Sequence, residues 1–545
     1  MVFEFIFSTQ SKSHARIFDK FLQYHATLKN LKFSHCFDLT KTPSEYIFLL
    51  DASTQDALDF ADDIAKRLPL SIHFRFLEFK ISECILDKPQ KKSHKQPEFL
   101  DALETKEILD KNSSKFCNLF DWVKNIQFLG KQITQPSDLQ KAFKQIILKL
   151  KNNQSVLIKT SRGIKEISLS QKSLDVMFWD LCNALTYTRL QNLESQVLAS
   201  YEKPSMLLCP KEVFAPLLLK NKDTFEIRAM LAYDIVLSLL GIFALEAEMG
   251  YVFVKNSSSK EFDLSYEHHK LPKMSEIVVS QEGFLIYKKI DKKSKNIFDV
   301  IAQHFDDDNS SLPKNIQKNT PSIIHHQKLI IFLSKTHPSG IWVKQGKEYK
   351  SLLPIVFENN PKLILQKIEN HYDGGEKLLK NFCNHFEDIF RSIQSLPDAS
   401  MESKNLIDIF SSAAFVLGYQ KQFISNNTCI LNHAKKFVRD KGPRIDFKLI
   451  KENDCLKLDY PKVLRSAMSF LIAGLDEATL SYGFVDSLAE FLGKFALDTS
   501  INFGIKNALI CGDMLTQKVF LDKMLHYFPK SIHLALPKEG YVDYD

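Results

Sequence analysis

The chain has 545 residues, of which 44% are hydrophobic and 25% are charged. This composition is ordinary for a globular protein of about three to five domains and excludes collagen-like, disordered and coiled-coil classes. Glycine is scarce, at 17 residues against the roughly 38 that a typical ~7% would give. Because the first glycine is Gly130, an ordinary glycine-rich phosphate loop is excluded from the residues before it.

The net charge of +7 does not by itself indicate a nucleic-acid partner. Only ten of the 72 basic residues are arginine, which is favoured for bidentate contacts to bases and phosphates. The nine cysteines are widely spaced without a C-x-x-C pair, which favours reduced thiols over disulfides or a cysteine-rich metal site. The N-terminus lacks the features of a signal peptide, and the longest apolar run, 235–245, is too short to span a bilayer. We therefore predict a cytoplasmic protein that binds no nucleic acid and inserts into no membrane.

The first 82 residues show the pattern of a ferredoxin-like α+β unit. The predicted strands are 2–8, 31–39, 45–51 and 70–81, and the predicted helices are 12–28 and 54–68. Their β-α-β-β-α-β order is that of the split ferredoxin-like plan. Residues 83–130 are polar and lysine-rich apart from an apolar patch, which predicts a linker with helical pieces.

Helical and strand patterns alternate from residue 131 onward. The predicted helices are 139–151 and 226–245, and the predicted strands are 155–159, 205–209 and 250–255. A polar segment with a proline at 309–320 indicates a boundary near 290–320, after which α and β patterns alternate again.

Residues 508–513 (ALICGD) predict an apolar strand that ends at Cys511 and Gly512, before a helix over 515–528. A strand that meets a helix N-terminus can bind an anion, but Asp513 stands where a phosphate would lie. A cysteine at a helix start can have a lowered pKa. With no base nearby in sequence, the pattern favours a buried structural thiol at Cys511.

Two further motifs could mark a phosphate or metal site, but each has a simpler structural explanation. Gly374 and Gly375 form the only Gly-Gly pair, which is more often a tight turn than a phosphate contact. His325 and His326 suggest a metal, but adjacent histidines point to different sides of a helix or strand.

In order and spacing, these pieces resemble the HypF carbamoyltransferases of [NiFe]-hydrogenase maturation. Residues 403–418 (SKNLIDIFSSAAFVLG) are similar to the family's T-S-S-x-G-R-L-F-D-A-V-A-A-L-L-G. Residues 510–521 (ICGDMLTQKVFL) are similar to L-S-G-G-V-F-Q-N-R-L-L-L, and the Gly-Gly pair is similar to the P-G-G-E/D turn. Lys172 matches the first residue of K-P-F-A-V-M, whereas KTSRG at 159–163 stands in place of the family's glycine-rich K-G-x-G-G turn.

The resemblance implies an α/β protein with an α+β N-terminal domain. The implied domains are acylphosphatase-like (1–85), a linker in place of the family's zinc-finger segment (86–130), YrdC-like (131–300) and TsaD-type, actin-like (301–545).

The resemblance also implies where the family's sites would fall. The cofactor-binding positions are Lys172, Gly374, Gly375, Cys511, Gly512 and Asp513, and the metal positions are His325 and His326. The zinc-finger cysteines are missing and the second glycine of L-S-G-G is Asp513. One repulsive unit charge a few ångströms from a phosphate costs about 4 kcal/mol at an effective dielectric constant of ~20. We therefore predict no catalytic residue, no metal and no cofactor.

The leading hypothesis is an accessory protein of hydrogenase maturation, a non-catalytic HypF relative that binds other maturation proteins or the hydrogenase large subunit. One alternative is an active carbamoyltransferase that uses carbamoyl phosphate, ATP and a divalent metal. Another is a protein-interaction module unrelated to hydrogenase.

Overall fold

The computed structural model describes residues 1–9, 12–38, 44–82, 99–110, 118–221, 224–268, 275–304, 327–346, 348–425, 427–452, 455–537 and 541–545. The chain forms two compact units, Met1–Glu276 (unit 1) and Ile277–Asp545 (unit 2). The four domain ranges implied by the family resemblance are a finer division, and they stay a prediction.

Unit 1 begins with the predicted β-α-β-β-α-β order. Its elements are β1 (Val2–Thr9), α1 (Lys12–Leu28), β2 (Lys32–Asp38), β3 (Ser44–Asp51), α2 (Thr54–Arg67) and β4 (Phe74–Ile81). The strands form an antiparallel sheet in the order β2-β3-β1-β4. Phenylalanine dominates its core, as in the stacked rings of Phe18 and Phe74, whose centroids lie 4.8 Å apart.

The rest of unit 1 is built on a nine-stranded sheet in the order β10-β11-β9-β12-β8-β7-β13-β5-β6. Its strands are β5 (Val123–Phe128), β6 (Lys131–Gln132), β7 (Val156–Thr160), β8 (Gly163–Ser168), β9 (Asp175–Phe178), β10 (Met206–Leu208), β11 (Ile227–Leu231), β12 (Tyr251–Asn256) and β13 (Leu264–His268). Its helices are α3 (Ala102–Leu109), α4 (Leu119–Trp122), α5 (Pro136–Lys151), α6 (Leu181–Tyr187), α7 (Asn192–Ala199), α8 (Ala215–Leu218) and α9 (Ile235–Glu246).

The helix predicted over 226–245 is wrong, because this stretch contains a strand and then a helix. β11 pairs with β9 and β10, and α9 begins only after Asp234. The Asp234 carboxylate accepts the Leu237 N–H at 2.9 Å, which caps α9 and separates it from the strand. A continuous apolar run does not reveal by periodicity whether it is strand or helix.

The range predicted as a linker also contributes to this sheet. β5 pairs with β13, and its apolar residues Val123 and Ile126 are buried. The apolar patch in an otherwise polar segment therefore marks a sheet strand.

Unit 2 contains a five-stranded sheet in the order β19-β18-β17-β24-β25 and four two-stranded pairs among its described residues. Its strands are β14 (Ile277–Val279), β15 (Leu285–Tyr287), β16 (Lys289–Asp291), β17 (Lys328–Phe332), β18 (Gly340–Gln345), β19 (Glu348–Leu353), β20 (Phe357–Glu358), β21 (Glu402–Ser403), β22 (Leu449–Glu452), β23 (Cys455–Leu458), β24 (Asn507–Cys511), β25 (His533–Ala535) and β26 (Tyr541–Tyr544). Its helices are α10 (Ile297–His304), α11 (Pro361–His371), α12 (Gly375–His385), α13 (Glu387–Gln394), α14 (Asp408–Val416), α15 (Cys429–Ala434), α16 (Tyr460–Ile472), α17 (Glu477–Phe503) and α18 (Lys518–Tyr527).

The sheet of unit 2 is mixed, and its parallel strands place the candidate site. β17 and β24 run parallel, so that Phe332 and Cys511 face each other at the carboxyl ends of both strands. Ligands of α/β sheets bind beyond the carboxyl ends of parallel strands. Among the described residues, no helix is both long and apolar enough to cross a membrane.

Candidate functional site

The carboxyl edge of β17 and β24 is closed by backbone hydrogen bonds around Gly512. The Gly512 N–H donates to Val542 O at 2.7 Å, and the Leu333 N–H donates to Cys511 O at 3.0 Å. Gly512 has φ +106°, and a Cβ at this position would lie 2.0 Å from Leu333 O. Glycine is therefore required here by the approach of the chain's own backbone.

Asp513, the first residue after this glycine, forms an ion pair with Lys335. Its Oδ1 accepts the backbone N–H of Lys335 at 2.7 Å, and its Oδ2 lies 3.2 Å from Lys335 Nζ. Both side chains are less than one-fifth exposed. The negative charge that the sequence places at the helix start is thus balanced by a cation from the loop after β17.

Cys511 is fully buried in the last position of β24. Burial, together with the nearby Asp543 carboxylate, raises the pKa of its thiol. A protonated, inaccessible thiol is a poor nucleophile and a poor metal ligand.

Four more polar side chains meet at this edge, and sequence reasoning did not identify any of them. Asp543 in β26 is only 2% exposed, and its Oδ1 lies 3.1 Å from His337 Nδ1. Ser334 also hydrogen-bonds to Asp543, and Tyr544 stacks on the His337 ring with the centroids 4.0 Å apart. Burial raises the pKa of Asp543.

These groups do not form a catalytic triad. Ser334 Oγ lies 3.5 Å from His337 Nδ1, the same ring nitrogen that faces Asp543. A histidine that relays a proton needs the carboxylate on one ring nitrogen and the hydroxyl on the other. The arrangement instead anchors β26 against the loop after β17.

Gly374 and Gly375 lie in the turn between α11 and α12. Gly374 has φ +73° and precedes the first residue of α12. A Cβ on Gly375 would lie 2.0 Å from Ile368 O, so the second glycine permits close packing of the two helices. Both glycines are explained by the helical hairpin itself.

Lys172 lies in unit 1 and binds the end of a short helix. Its Nζ donates to Pro216 O at 2.5 Å and to Leu219 O at 3.1 Å. A lysine at helix carbonyls satisfies acceptors that the helix leaves open.

The turn at 159–163 contains a partly buried arginine. The Arg162 guanidinium donates to Lys203 O and Glu202 O, both at 2.8 Å, and lies 4.6 Å from the centre of the Tyr233 ring. Burial, followed by the charge of Arg162, lowers the pKa of Lys203 to about 8. The Lys203 ammonium donates to Ala199 O at 2.8 Å.

His325 and His326 lie outside the described residues. Within the part of the chain that the structure describes, no three His, Cys, Asp or Glu side chains are grouped so that they could hold a metal ion. None of the seven cysteines in this part forms a disulfide.

Known proteins provide a sequence relative and two structural neighbours. Protein HydE of Wolinella succinogenes is 29% identical over 528 residues, which are 92% of this chain and 92% of that protein. A full-length HypF in the phosphate- and nucleotide-bound form matches with a TM-score of 0.57 at 12% identity, over 99% of this chain and 96% of its own. T. kodakarensis HypF matches with a TM-score of 0.60 at 11% identity, over 99% and 97%.

The chain has a HypF-like fold. The two structural matches show the fold, and the likeness to HydE extends through almost the whole sequence. No family model matches the chain. The α/β fold class and the HypF resemblance are confirmed.

In this HypF-like fold the positions implied by the resemblance fall in separate places. Cys511, Gly512 and Asp513 share the sheet edge of unit 2, and Gly374 and Gly375 lie at the turn between α11 and α12. Lys172 belongs to unit 1. Polar residues directly after a buried strand are the signal that would have found Ser334, Lys335 and His337.

Proposed function

We propose that this HypF-like chain is an accessory protein of [NiFe]-hydrogenase maturation in the cytoplasm. It acts as a scaffold that binds other maturation proteins or the hydrogenase large subunit, and it does not transfer carbamoyl groups. The relationship to HydE and the HypF fold support the maturation role. The contacts made at the implied family positions support the absence of catalysis.

The ion pair between Asp513 and Lys335 carries this proposal. A phosphate at the sheet edge would meet the Asp513 carboxylate and would have to compete with it for Lys335. If Lys335 turned to the phosphate, Asp513 would lose its partner, and a like charge a few ångströms from the phosphate costs about 4 kcal/mol at an effective dielectric constant of ~20, roughly a thousandfold in affinity. The residues at this edge therefore do not suit a nucleotide phosphate.

The turn at 159–163 supports the same proposal in unit 1. The Arg162 guanidinium is engaged with two backbone carbonyls and the Tyr233 ring. A ligand that used this arginine would have to break those contacts, which are made in a buried environment where lost hydrogen bonds are costly.

Deletion of the gene tests the maturation role. We expect the deletion strain to lose hydrogenase activity and to accumulate unprocessed large subunit. Complementation with Lys172→Met should restore activity as fully as the unaltered gene, because a scaffold does not need this amine for chemistry. Normal hydrogenase in the deletion strain would falsify the maturation role.

Calorimetry with the purified chain tests the absence of catalysis. We expect no heat of binding for ATP with Mg²⁺, and none for carbamoyl phosphate. Saturable binding of either compound would favour the carbamoyltransferase alternative. A strain that needs the gene while its product binds neither compound is the combination expected of a scaffold.

A further inference from the structure

A cavity of about 360 Å³ lies in unit 1 beside α1, α2 and the beginning of α3. Cavities that hold small molecules in proteins measure ~300–1,000 Å³. None of the residues that line it is a position at which the resemblance to HypF places a site. The cavity therefore needs an explanation of its own.

Aromatic rings form the apolar wall of this cavity. Phe21 and Phe99 are stacked with their centroids 5.4 Å apart, and Tyr24 adds a third ring. His25 lies against Phe21 with the ring centroids 4.4 Å apart and is only 6% exposed. An aromatic face attracts a cation through the negative charge of its π system.

Arg67 neutralises part of the acidic lining. Its Nε lies 2.8 Å from Asp63 Oδ1, and its Nη1 lies 2.8 Å from Asp101 Oδ2. The second oxygen of Asp63, Oδ2, lies 3.7 Å from His25 Nδ1 and 3.8 Å from Lys29 Nζ. Both distances are those of ion pairs and exceed that of a hydrogen bond, so Asp63 Oδ2 makes no hydrogen bond to His25 or to Lys29.

The lining as a whole carries an excess of negative charge. The carboxylates of Asp63, Asp101 and Glu104 face only two permanent cations, Lys29 and Arg67. Burial lowers the pKa of His25, which favours the uncharged imidazole. One bound monocation would balance the charge of the cavity.

We propose that this cavity binds a small amine that carries one primary ammonium on a short apolar body. The ammonium lies between Asp63 Oδ2 and Glu104, and the body packs against Tyr24 and Phe99. Lys29 is about one-third exposed and stays at the rim, so the charge of the lining that the ligand balances is unchanged.

Calorimetry with the full chain and three probes of similar shape tests the ligand class. We expect phenethylamine to bind, phenethyl alcohol to bind at least tenfold more weakly, and 3-phenylpropionate not to bind. Equal affinity for the amine and the alcohol contradicts the charge argument. Preference for the carboxylate, or no binding of the amine, overturns the proposal.

A pair of matched variants on α3 tests the location. Glu104→Gln removes one lining charge and keeps an oxygen for the Asp101 N–H, whereas Glu107→Gln makes the same change outside the lining. We expect the first to weaken phenethylamine binding at least tenfold and the second to leave it unchanged. Leu28→Trp, at an exposed rim position, should also abolish binding because it adds bulk at the mouth. Equal affinity in all three variants would place the amine elsewhere.

Discussion

The sheet edge of unit 2 and the cavity of unit 1 both gather charged side chains, but they use them in opposite ways. At the edge, both oxygens of Asp513 bind Lys335, at 2.7 and 3.2 Å. In the cavity, one oxygen of Asp63 stays 3.7 Å or more from its neighbours His25 and Lys29. Charge content alone therefore does not identify a binding site, because the distances between the charged groups decide whether they are left for a ligand.

The two regions also differ in whether the resemblance to HypF assigns a site to their residues. The edge contains positions at which the resemblance to HypF implies a cofactor site, and its charged groups pair with one another. The cavity is lined by residues to which the resemblance assigns no site. Four predictions test this contrast, in decreasing order of the expected effect.

Labelling of cysteines tests whether the sheet edge is closed. Cys511 is fully buried with a raised pKa, whereas Cys455 in the same unit is exposed. We expect maleimide to modify Cys511 at least ~1,000-fold more slowly at neutral pH, because reaction requires local unfolding that costs several kcal/mol. Peptide mass spectrometry after timed labelling measures both rates. In urea the two rates should converge, and comparable rates without urea would show an open edge.

Two glycine substitutions in unit 2 test how tightly the edge is packed. Gly512→Ala places a Cβ 2.0 Å from Leu333 O at φ +106°, so we expect the free energy of unfolding to fall by about 3 kcal/mol. Gly504 also has a positive φ, +69°, but a Cβ added there would meet no atom within 4 Å. We therefore expect Gly504→Ala to lower the free energy of unfolding by only about 1 kcal/mol. Urea unfolding of unit 2 measures both. Equal losses would mean that the close approach at Gly512 is relieved at little cost.

Asp513→Gly restores the glycine of the family motif and tests whether one change reopens the edge. Loss of the partly buried ion pair with Lys335 should lower the free energy of unfolding by about 2 kcal/mol. Lys335→Met should cost a similar amount, and the double variant less than the sum, since both singles remove the same pair. We expect no ATP binding to Asp513→Gly by calorimetry. A restored nucleotide site would instead show that this carboxylate alone had blocked it.

The sequence was informative for features that depend on residues close together in the chain. Alternation and 3.6-residue periodicity located the β-α-β-β-α-β order of the first 82 residues, and the HypF motifs located Cys511, Gly512 and Asp513. The sequence failed at 226–245, where an apolar run is consistent with both a strand and a helix and the cap at Asp234 decides between them.

The pairing at the edge was beyond sequence reasoning because it joins distant segments. Lys335 and Asp513 are 178 positions apart, and Asp543 reaches His337 from the other end of unit 2. The cavity presents the same difficulty, since Arg67 of α2 meets Asp101 only after the chain has passed through β4. The sequence shows which residues are charged but not how far apart they lie. That distance decides whether a carboxylate is paired with a cation or faces a cavity.

The pH dependence of unit 1 gives the smallest expected effect and tests the cavity itself. Burial is the main reason that the pKa of His25 falls below its ordinary 6.5, and the neighbouring cations Arg67 and Lys29 act in the same direction. The carboxylates of Asp63 and Asp101 oppose this shift without reversing it. The unfolded chain therefore takes up the proton first as the pH falls. The stability contributed by the neutral imidazole is full above pH 6.5 and is lost as the pH falls through the unfolded value toward the folded one.

Urea unfolding of unit 1 between pH 5 and 8 measures this slope against His25→Gln, which cannot titrate. We expect the two proteins to differ by a constant amount above about pH 7 and the difference to shrink at lower pH. A difference that grows on acidification would mean that the folded cavity holds a charged imidazole. It would then carry no net negative charge, and the lining would lose its preference for an amine over the uncharged alcohol.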